Sequence, residues 1–323
     1  MVNLDGKTIL VTGGCGFIGS NFIEYILKNY SKMTVLNIDK MGVGSRDFYP
    51  KIGDNSYIHF NKDIRILHNM YITSSWFLPG VSKIDYVFHF AAESHVDRSI
   101  QSPMDFIDNN VKGLTSLLEY IRLHQKQARV INVSTDEVYG HLGKDDEPFT
   151  ENSPLKPRSP YAASKASADL IAGSYFTTYG LDIITTRCCN NYGPYQYEEK
   201  FIPKIIKSIT YNLKIPVYGN GMNIREWIYV DDHIKSILEI ADFGKSGLVY
   251  NIGSEIELSN LDMVKILLGE IKDTGDIDKY IEYVDDRKGH DFRYAIRSVN
   301  FERSFKLEDF WGAINKTIDH YIK

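Results

Sequence analysis

An α/β fold, a doubly wound parallel sheet with a second, smaller α/β lobe, is the class this sequence predicts, on three observations. Short runs rich in β-branched residues alternate with longer helical patterns through the first half of the chain. A glycine cluster closes the first such run and opens the first helical pattern. A carboxylate, Asp39, ends the second run. With 323 residues, 43% of them hydrophobic, the chain can bury a substantial core and form two lobes.

The elements follow in order. Strands are predicted over 8–11, 35–38, 86–90, 130–134 and 183–186, where Val, Ile and Thr concentrate, and helices over 17–28 and 110–124 between them. Further on, 227–242 and 249–252 read as a helix and a strand of the same sheet. The polar, aromatic-rich stretches 190–225 and 254–323 then make the second lobe, so that 1–189 and 226–253 form the cofactor domain and the lobes interleave in sequence. No repeat of 20–50 residues and no low-complexity tract interrupts this pattern.

Composition removes several function classes. A net charge of −5 gives no electrostatic footprint for nucleic acid or an anionic membrane surface, so neither is expected as a partner. The N-terminal residues lack a basic segment followed by an apolar one, and no run of about 18 uncharged apolar residues occurs, which predicts a soluble, unexported, cytoplasmic protein. Of three cysteines, Cys188 and Cys189 are adjacent, a poor geometry for a disulfide, which fits a reducing compartment; Cys15 reads as a small residue in a tight loop. No metal is expected.

The loop Gly13-Gly14-Cys15-Gly16-Phe17-Ile18-Gly19 sits between a predicted strand and a predicted helix. Glycines there let the chain turn tightly and let backbone N–H groups approach a pyrophosphate on the positive helix end, which is the Rossmann dinucleotide arrangement. Asp39, twenty residues after Gly19, stands where a carboxylate accepts from a ribose hydroxyl and repels a 2′-phosphate, so NAD is expected rather than NADP. Asp63-Ile64 and Ala91-Ala92-Glu93-Ser94 follow the third and fourth strands, where loops at the carboxyl edge meet adenine and ribose.

Thr135-Asp136-Glu137 closes the strand over 130–134, and Tyr161 and Lys165 lie four apart on a helix beginning near Ser159-Pro160, hence on one face. A lysine ammonium beside the phenol would favour phenolate and make the tyrosine a base near neutral pH. The Tyr-x-x-x-Lys spacing is common by chance. Its weight comes from position, because a hydroxyl at the end of the preceding strand can hydrogen-bond the same substrate oxygen.

Together these features resemble an extended short-chain dehydrogenase/reductase acting on a nucleotide sugar. Three further segments, Ala91-Ala92-Glu93-Ser94-His95-Val96-Asp97-Arg98-Ser99-Ile100, Ser134-Thr135-Asp136-Glu137-Val138-Tyr139-Gly140 and Asn190-Asn191-Tyr192-Gly193-Pro194-Tyr195-Gln196, closely resemble the dTDP-glucose 4,6-dehydratase family. The similarity spans nearly the whole chain. It implies NAD and a nucleotide-diphosphoglucose substrate, with dTDP or UDP as the nucleotide and a 4-keto-6-deoxy sugar as product, for deoxysugar biosynthesis of the rhamnose type. It also implies a homodimer joined through helices of the first lobe.

Residue by residue, the resemblance implies that Tyr161, aided by Thr135 and Lys165, takes the C4 hydroxyl proton, that Glu137 removes C5–H, and that Asp136, held protonated, protonates the departing C6 hydroxyl. Lys40, Asn109 and Asn191 join Gly13, Gly16, Phe17, Ile18, Gly19, Asp39, Asp63, Ile64, Ala91, Ala92, Ser94, Tyr161 and Lys165 around the cofactor. Ser94, Thr135, Asn190, Lys200, Phe201, Pro216, Val217, Tyr218, Arg225, Asn260, Arg287 and His290 are implied at the substrate, with Lys200, Arg225 and Arg287 gripping its diphosphate. Several positions depart from the family pattern: Lys288 for proline, Glu226 for aspartate, Glu198 for proline and Phe292 for arginine, and the usual Gly-Trp-x-Pro is absent around Trp311. The departures surround the nucleotide end, not the catalytic set. Two rival readings are a 4-epimerase of the same superfamily, which has no use for the adjacent acids, and a non-catalytic NAD-binding regulator, which has no use for Tyr161 and Lys165.

Overall fold

The first strand, β1 (Thr8–Thr12), is fully buried from Ile9 onward, as a strand must be when helices cover both faces of its sheet. It runs parallel between β2 (Thr34–Asp39) and β4 (Tyr86–His89), with Leu10 opposite both Leu36 and Val87. β3 (Ser56–Asn61) adds one edge; β5 (Arg129–Thr135), β6 (Ile183–Cys188) and β10 (Val249–Ile252) extend the other, giving seven parallel strands in the order 3-2-1-4-5-6-10. The computed structural model describes residues 2–72, 83–274, 276–286 and 289–322, without the side chains of 69–72.

Helices cover both faces. On one side α1 (Phe17–Asn29) and α7 (Val230–Phe243) bury Phe22, Ile23, Ile26, Ile234 and Ile237 in a core that continues into the second lobe. On the other, α4 (Gly113–His124) and α5 (Pro160–Tyr179) bury Leu114, Leu117, Ile121, Ala168 and Ala172. The chain leaves β1 toward β2 and later returns to lay β4 on the other flank of β1, so the strand order reverses there and the carboxyl ends of β1, β4 and β5 open onto a crevice.

Two expectations change. The helix predicted over 110–124 starts earlier and irregularly: α2 (Val96–Gln101) and α3 (Pro103–Phe106) lead into a π-helical segment, Ile107–Lys112, before α4. The cause is Asn110, which is buried and exchanges hydrogen bonds with the backbone of Glu93 (2.8 and 3.0 Å) while donating to Ser164 Oγ (2.8 Å); such π-bulges gather at functional sites. The helix predicted over 227–242 begins only at Val230, since Trp227 lies on β9 (Ile224–Tyr229), paired with β7 (Asn190–Tyr192) and β11 (Glu257–Ser259). A second small sheet joins β8 (Ile215–Tyr218) to β12 (Ile281–Val284), packed with α6 (Phe201–Thr210), α8 (Asn260–Lys272) and α9 (Phe310–Ile322). Because β7 follows β6 after a single residue, Cys189, the large sheet hands the chain to the second lobe at Asn190. No helix among the described residues is long and apolar enough to cross a membrane.

Candidate active site

One cleft runs along the carboxyl ends of the strands, and the glycine loop forms its floor. Gly13 has φ +73°, and a Cβ there would stand 2.6 Å from the Ala91 nitrogen, so the β1 and β4 loops touch only because Gly13 lacks one. Gly16 caps α1 with extended backbone and no side-chain hydrogen bond, which leaves the helix end presented to the cleft beside Phe17, Ile18 and Gly19. These features fit a dinucleotide pyrophosphate.

Asp39 closes β2 against this loop. Its Oδ2 accepts from Cys15 N (2.9 Å), and its Oδ1 accepts from Met41 N (2.8 Å) and Ser45 Oγ (3.1 Å). Three of about four acceptor sites on the carboxylate are thus taken, leaving one for a ribose hydroxyl. Cys15 is buried and free, so its role is to fit the turn and donate its N–H to Asp39. Lys40 donates to Asn109 Oδ1 (2.6 Å) and stands 3.5 Å from Glu93, drawing the π-helical segment to the edge of β2. Asp63, Ile64, Ala91, Ala92 and Ser94 complete this end of the cleft.

At the other end, Thr135 closes β5 and caps a 3-10 turn, Asp136–Tyr139, by accepting from Glu137 N (3.3 Å). Its hydroxyl donates to Asp136 Oδ1 (3.2 Å). Asp136 is 2% exposed and its Oδ2 has no hydrogen-bond partner among the described residues. Burial, then the neighbouring charges of Glu137 and Glu226, push its carboxyl well above the ordinary aspartate range, which favours its protonated form. The acid beside it, Glu137, is only half-buried and faces the same cleft.

Tyr161 and Lys165 enter the cleft from the first turns of α5, which starts with Ser159 accepting from Ala162 N (3.1 Å) and Pro160 in the first turn. The expectation that Lys165 lowers the phenol's pKa is corrected here. Burial, then the charges of Glu137 and Cys188, raise Tyr161 well above its usual value, while Thr135 opposes the rise through a hydrogen bond. Lys165 is itself buried, its pKa lowered by that burial, and its ammonium donates to Val133 O (2.8 Å). In this arrangement Tyr161 holds its proton.

The second lobe contributes Asn190, Asn191 and Lys200 to the cleft. Lys200 donates to Ser94 O (2.7 Å), bridging the start of α6 to the loop after β4. Among the described residues, the other expected substrate residues stand outside the lining of this cleft. Phe201 stacks on Trp227 (6.1 Å), and on β8 Val217 is buried in the core while its neighbours Pro216 and Tyr218 are half-buried. Tyr218 meets His290 edge-on at 6.3 Å, His290 Nδ1 lies 2.6 Å from Asp286 Oδ1, and Asn260 opens α8. Arg225 is 5% exposed and directs its N–H groups at the carbonyls of Ile224, Asp291 and Phe292 (2.7 to 3.3 Å), with Tyr294 4.5 Å beneath its guanidinium. Its charge therefore ties the lobe together in this conformation, where the sequence suggested a phosphate grip. Arg287 lies outside the described residues, as does Lys288.

Sequence reasoning passed over Glu93, Arg98, Gln196, Tyr197 and the loop 42–45, all of which line the cleft. Glu93, Arg98 and Gln196 stood within quoted motifs without a role, and nothing local marks Tyr197. Among the described residues no group of three or more His, Cys, Asp or Glu side chains is arranged to hold a metal ion.

A family model described as GDP-mannose 4,6 dehydratase matches residues 10–308. The dTDP-glucose 4,6-dehydratase of Neisseria meningitidis serogroup B is 39% identical over 98% of this chain and 93% of its own. Among solved structures, the dTDP-glucose 4,6-dehydratase DesIV of Streptomyces venezuelae, with NAD and TYD bound, superposes with a TM-score of 0.86 at 37% identity, covering 97% of this chain and 96% of that one. The UDP-N-acetylglucosamine 4-epimerase of Methanobrevibacter ruminantium M1 superposes with a TM-score of 0.83 at 28% identity, covering 98% and 99%.

Proposed function

The chain belongs to the GDP-mannose 4,6-dehydratase family, and from that premise we propose that it is an NAD-dependent dehydratase converting dTDP-glucose to dTDP-4-keto-6-deoxyglucose and water, an entry to deoxysugars. One observation carries the reading: a buried acid, Asp136, whose burial favours its protonated form, stands next to a second acid, Glu137, in the cleft that holds Tyr161 and Lys165. A 4-epimerase shares the fold but needs no acid–base pair for C5 and C6, and the regulator reading leaves Tyr161 and Lys165 without work.

NAD, held by the glycine loop and Asp39, would supply the hydride acceptor and donor of the reaction. Tyr161 would take the C4 hydroxyl proton only after giving up its own, a loss that the positive charge of a bound nicotinamide would favour, with the Thr135 hydroxyl on the same oxygen. The resulting ketone acidifies C5–H, which Glu137 removes and later returns to C5. Asp136 gives its proton to the C6 hydroxyl, which leaves as water. Opposite protonation states on neighbouring carboxyls suit this exchange, since like charges oppose double ionisation. Lys200, which lines the cleft from the second lobe, would meet the diphosphate, and the family resemblance adds Arg225 and Arg287 as further cations.

We assign 1–189 and 226–253 to cofactor and 190–225 and 254–323 to the sugar nucleotide; β9 crosses the 226 boundary, so the lobes share that strand. Three free cysteines accord with a cytoplasmic setting. A homodimer accords with apolar side chains left exposed on the helical face of the first lobe, Met104 and Leu170 (both 67%).

The test is to incubate the purified protein with dTDP-glucose and with UDP-glucose separately and read product masses. Loss of one water from dTDP-glucose is expected. An epimer of unchanged mass in its place sinks the dehydratase reading, and water loss from UDP-glucose alone reassigns the nucleotide.

A further inference from the structure

Behind the cleft lies a chain of buried polar contacts that the reaction scheme above does not use. Asp169 sits one helical turn beyond Lys165 on α5 and accepts from Arg187 Nε (2.9 Å) on β6; their side chains are 3% and 6% exposed. Its other oxygen accepts from Asn132 Nδ2 (3.3 Å) on β5. Arg187 Nη1 donates to the Tyr139 hydroxyl (2.9 Å), which donates to Asn251 Oδ1 (2.8 Å) on β10. Tyr139 is the last residue of the turn that carries Asp136 and Glu137, and it is 1% exposed.

A buried ion pair is a poor source of stability, because desolvating both charges offsets their attraction, and apolar replacements of equal volume are often no worse. Its distinctive property is direction: a guanidinium between fixed partners leaves little freedom to the groups it touches. Here those partners reach α5, β5 and the acid–base turn, which carry Lys165, Thr135, Asp136 and Glu137. The exit of the turn is fixed as well. Gly140 has φ +94° and no room for a Cβ, which would stand 2.3 Å from Lys156 O, and Lys156 N donates to Val138 O (3.1 Å). The Tyr139 ring stacks on Phe149 (5.2 Å) and lies beneath the Arg187 guanidinium (4.8 Å), so the ring keeps its contact with the charged pair in a phenylalanine variant and the hydroxyl alone supplies the directional hydrogen bond.

We infer that Tyr139 is a positioning residue for the elimination half-reaction: its hydroxyl, held between Arg187 and Asn251, sets the direction in which the Asp136-Glu137 turn presents its two carboxyls. This rests on the dehydratase reading. Oxidation at C4 relies on Thr135, Tyr161 and Lys165, whose elements β5 and α5 keep their contacts through Asn132, Asp169 and Arg187 when the Tyr139 hydroxyl is lost, so that loss separates the two halves.

The experiment uses NAD-loaded enzyme and its Tyr139→Phe variant with dTDP-glucose in deuterated solvent, following cofactor reduction at 340 nm in a single turnover, C5–H exchange and product formation. Cofactor content, KM and the rate of C4 oxidation are expected within about twofold of wild type, while exchange and kcat fall roughly tenfold to a hundredfold, the scale of a displacement of about 1 Å. Oxidation and exchange falling together, or neither falling, overturns the inference. Should Tyr139→Phe fail to fold, Asn251→Ala removes the acceptor instead and is read the same way. If wild-type enzyme releases no dehydrated product the parent reading fails, whereas a normal wild type with an unchanged ratio in the variant refutes only the role of Tyr139.

Discussion

Asp136 shows how burial favours the protonated form of one carboxyl of a pair. Burial raises its pKa first and the charge on Glu137 second, so the folded protein binds a proton that the unfolded chain releases. The sign follows directly: this group costs nothing below the usual aspartate range, and stability is lost as pH climbs from that range toward the raised folded value. Asp136→Asn keeps the shape without the penalty, so its melting temperature should exceed that of wild type at pH 7–8 and the gap should close near pH 4, as thermal unfolding across pH would show. Its dehydratase rate should fall about 10²- to 10⁴-fold, the usual contribution of a general acid. Glu137→Gln should still oxidise C4 yet fail to exchange C5–H with deuterated solvent; exchange at the wild-type rate would remove Glu137 from its role. The adjacency of the two acids was legible in the chain. Their unequal burial was not, because packing sets it, and the charge of Glu226 reaches Asp136 from β9, far along the chain.

At the scale of elements, the helix bearing Tyr161 and Lys165 was readable from its start, Ser159-Pro160, where a hydroxyl caps and a proline opens the first turn. Ser159→Ala should cost about 1 kcal/mol, lower the melting temperature by about 2 °C and slow C4 oxidation, since the first turn is where Tyr161 is held. Differential scanning calorimetry with single-turnover kinetics checks both. The π-helical segment escaped prediction because Asn110 makes it through bonds to Glu93 and Ser164, residues distant in sequence. Trp227 escaped for a related reason: the local pattern around it suits a helix, and only β7 and β11 on either side make it strand.

At the scale of the molecule, the crevice exists because the strand order reverses at β1, and every cofactor residue named from the sequence lines it. The exposed Leu170 and Met104 lie on the outer face of the same lobe. Size exclusion should give a species near 74 kDa, twice the 37.0 kDa chain, and Leu170→Arg should shift it toward monomer; a wild-type monomer would end the dimer proposal. What the sequence by itself determined is the chemistry with local causes: glycines where the backbone must turn against a phosphate, a carboxylate at the end of β2, a hydroxyl and two acids ending β5, and the Tyr161/Lys165 pair on one helical face. Only the tertiary structure decided which acid is buried, that Lys165 donates to Val133 O while burial raises Tyr161, and that Arg225 is committed to backbone carbonyls. Those outcomes depend on desolvation and on charges brought together from distant segments, and both are properties of packing, which no stretch of chain carries alone.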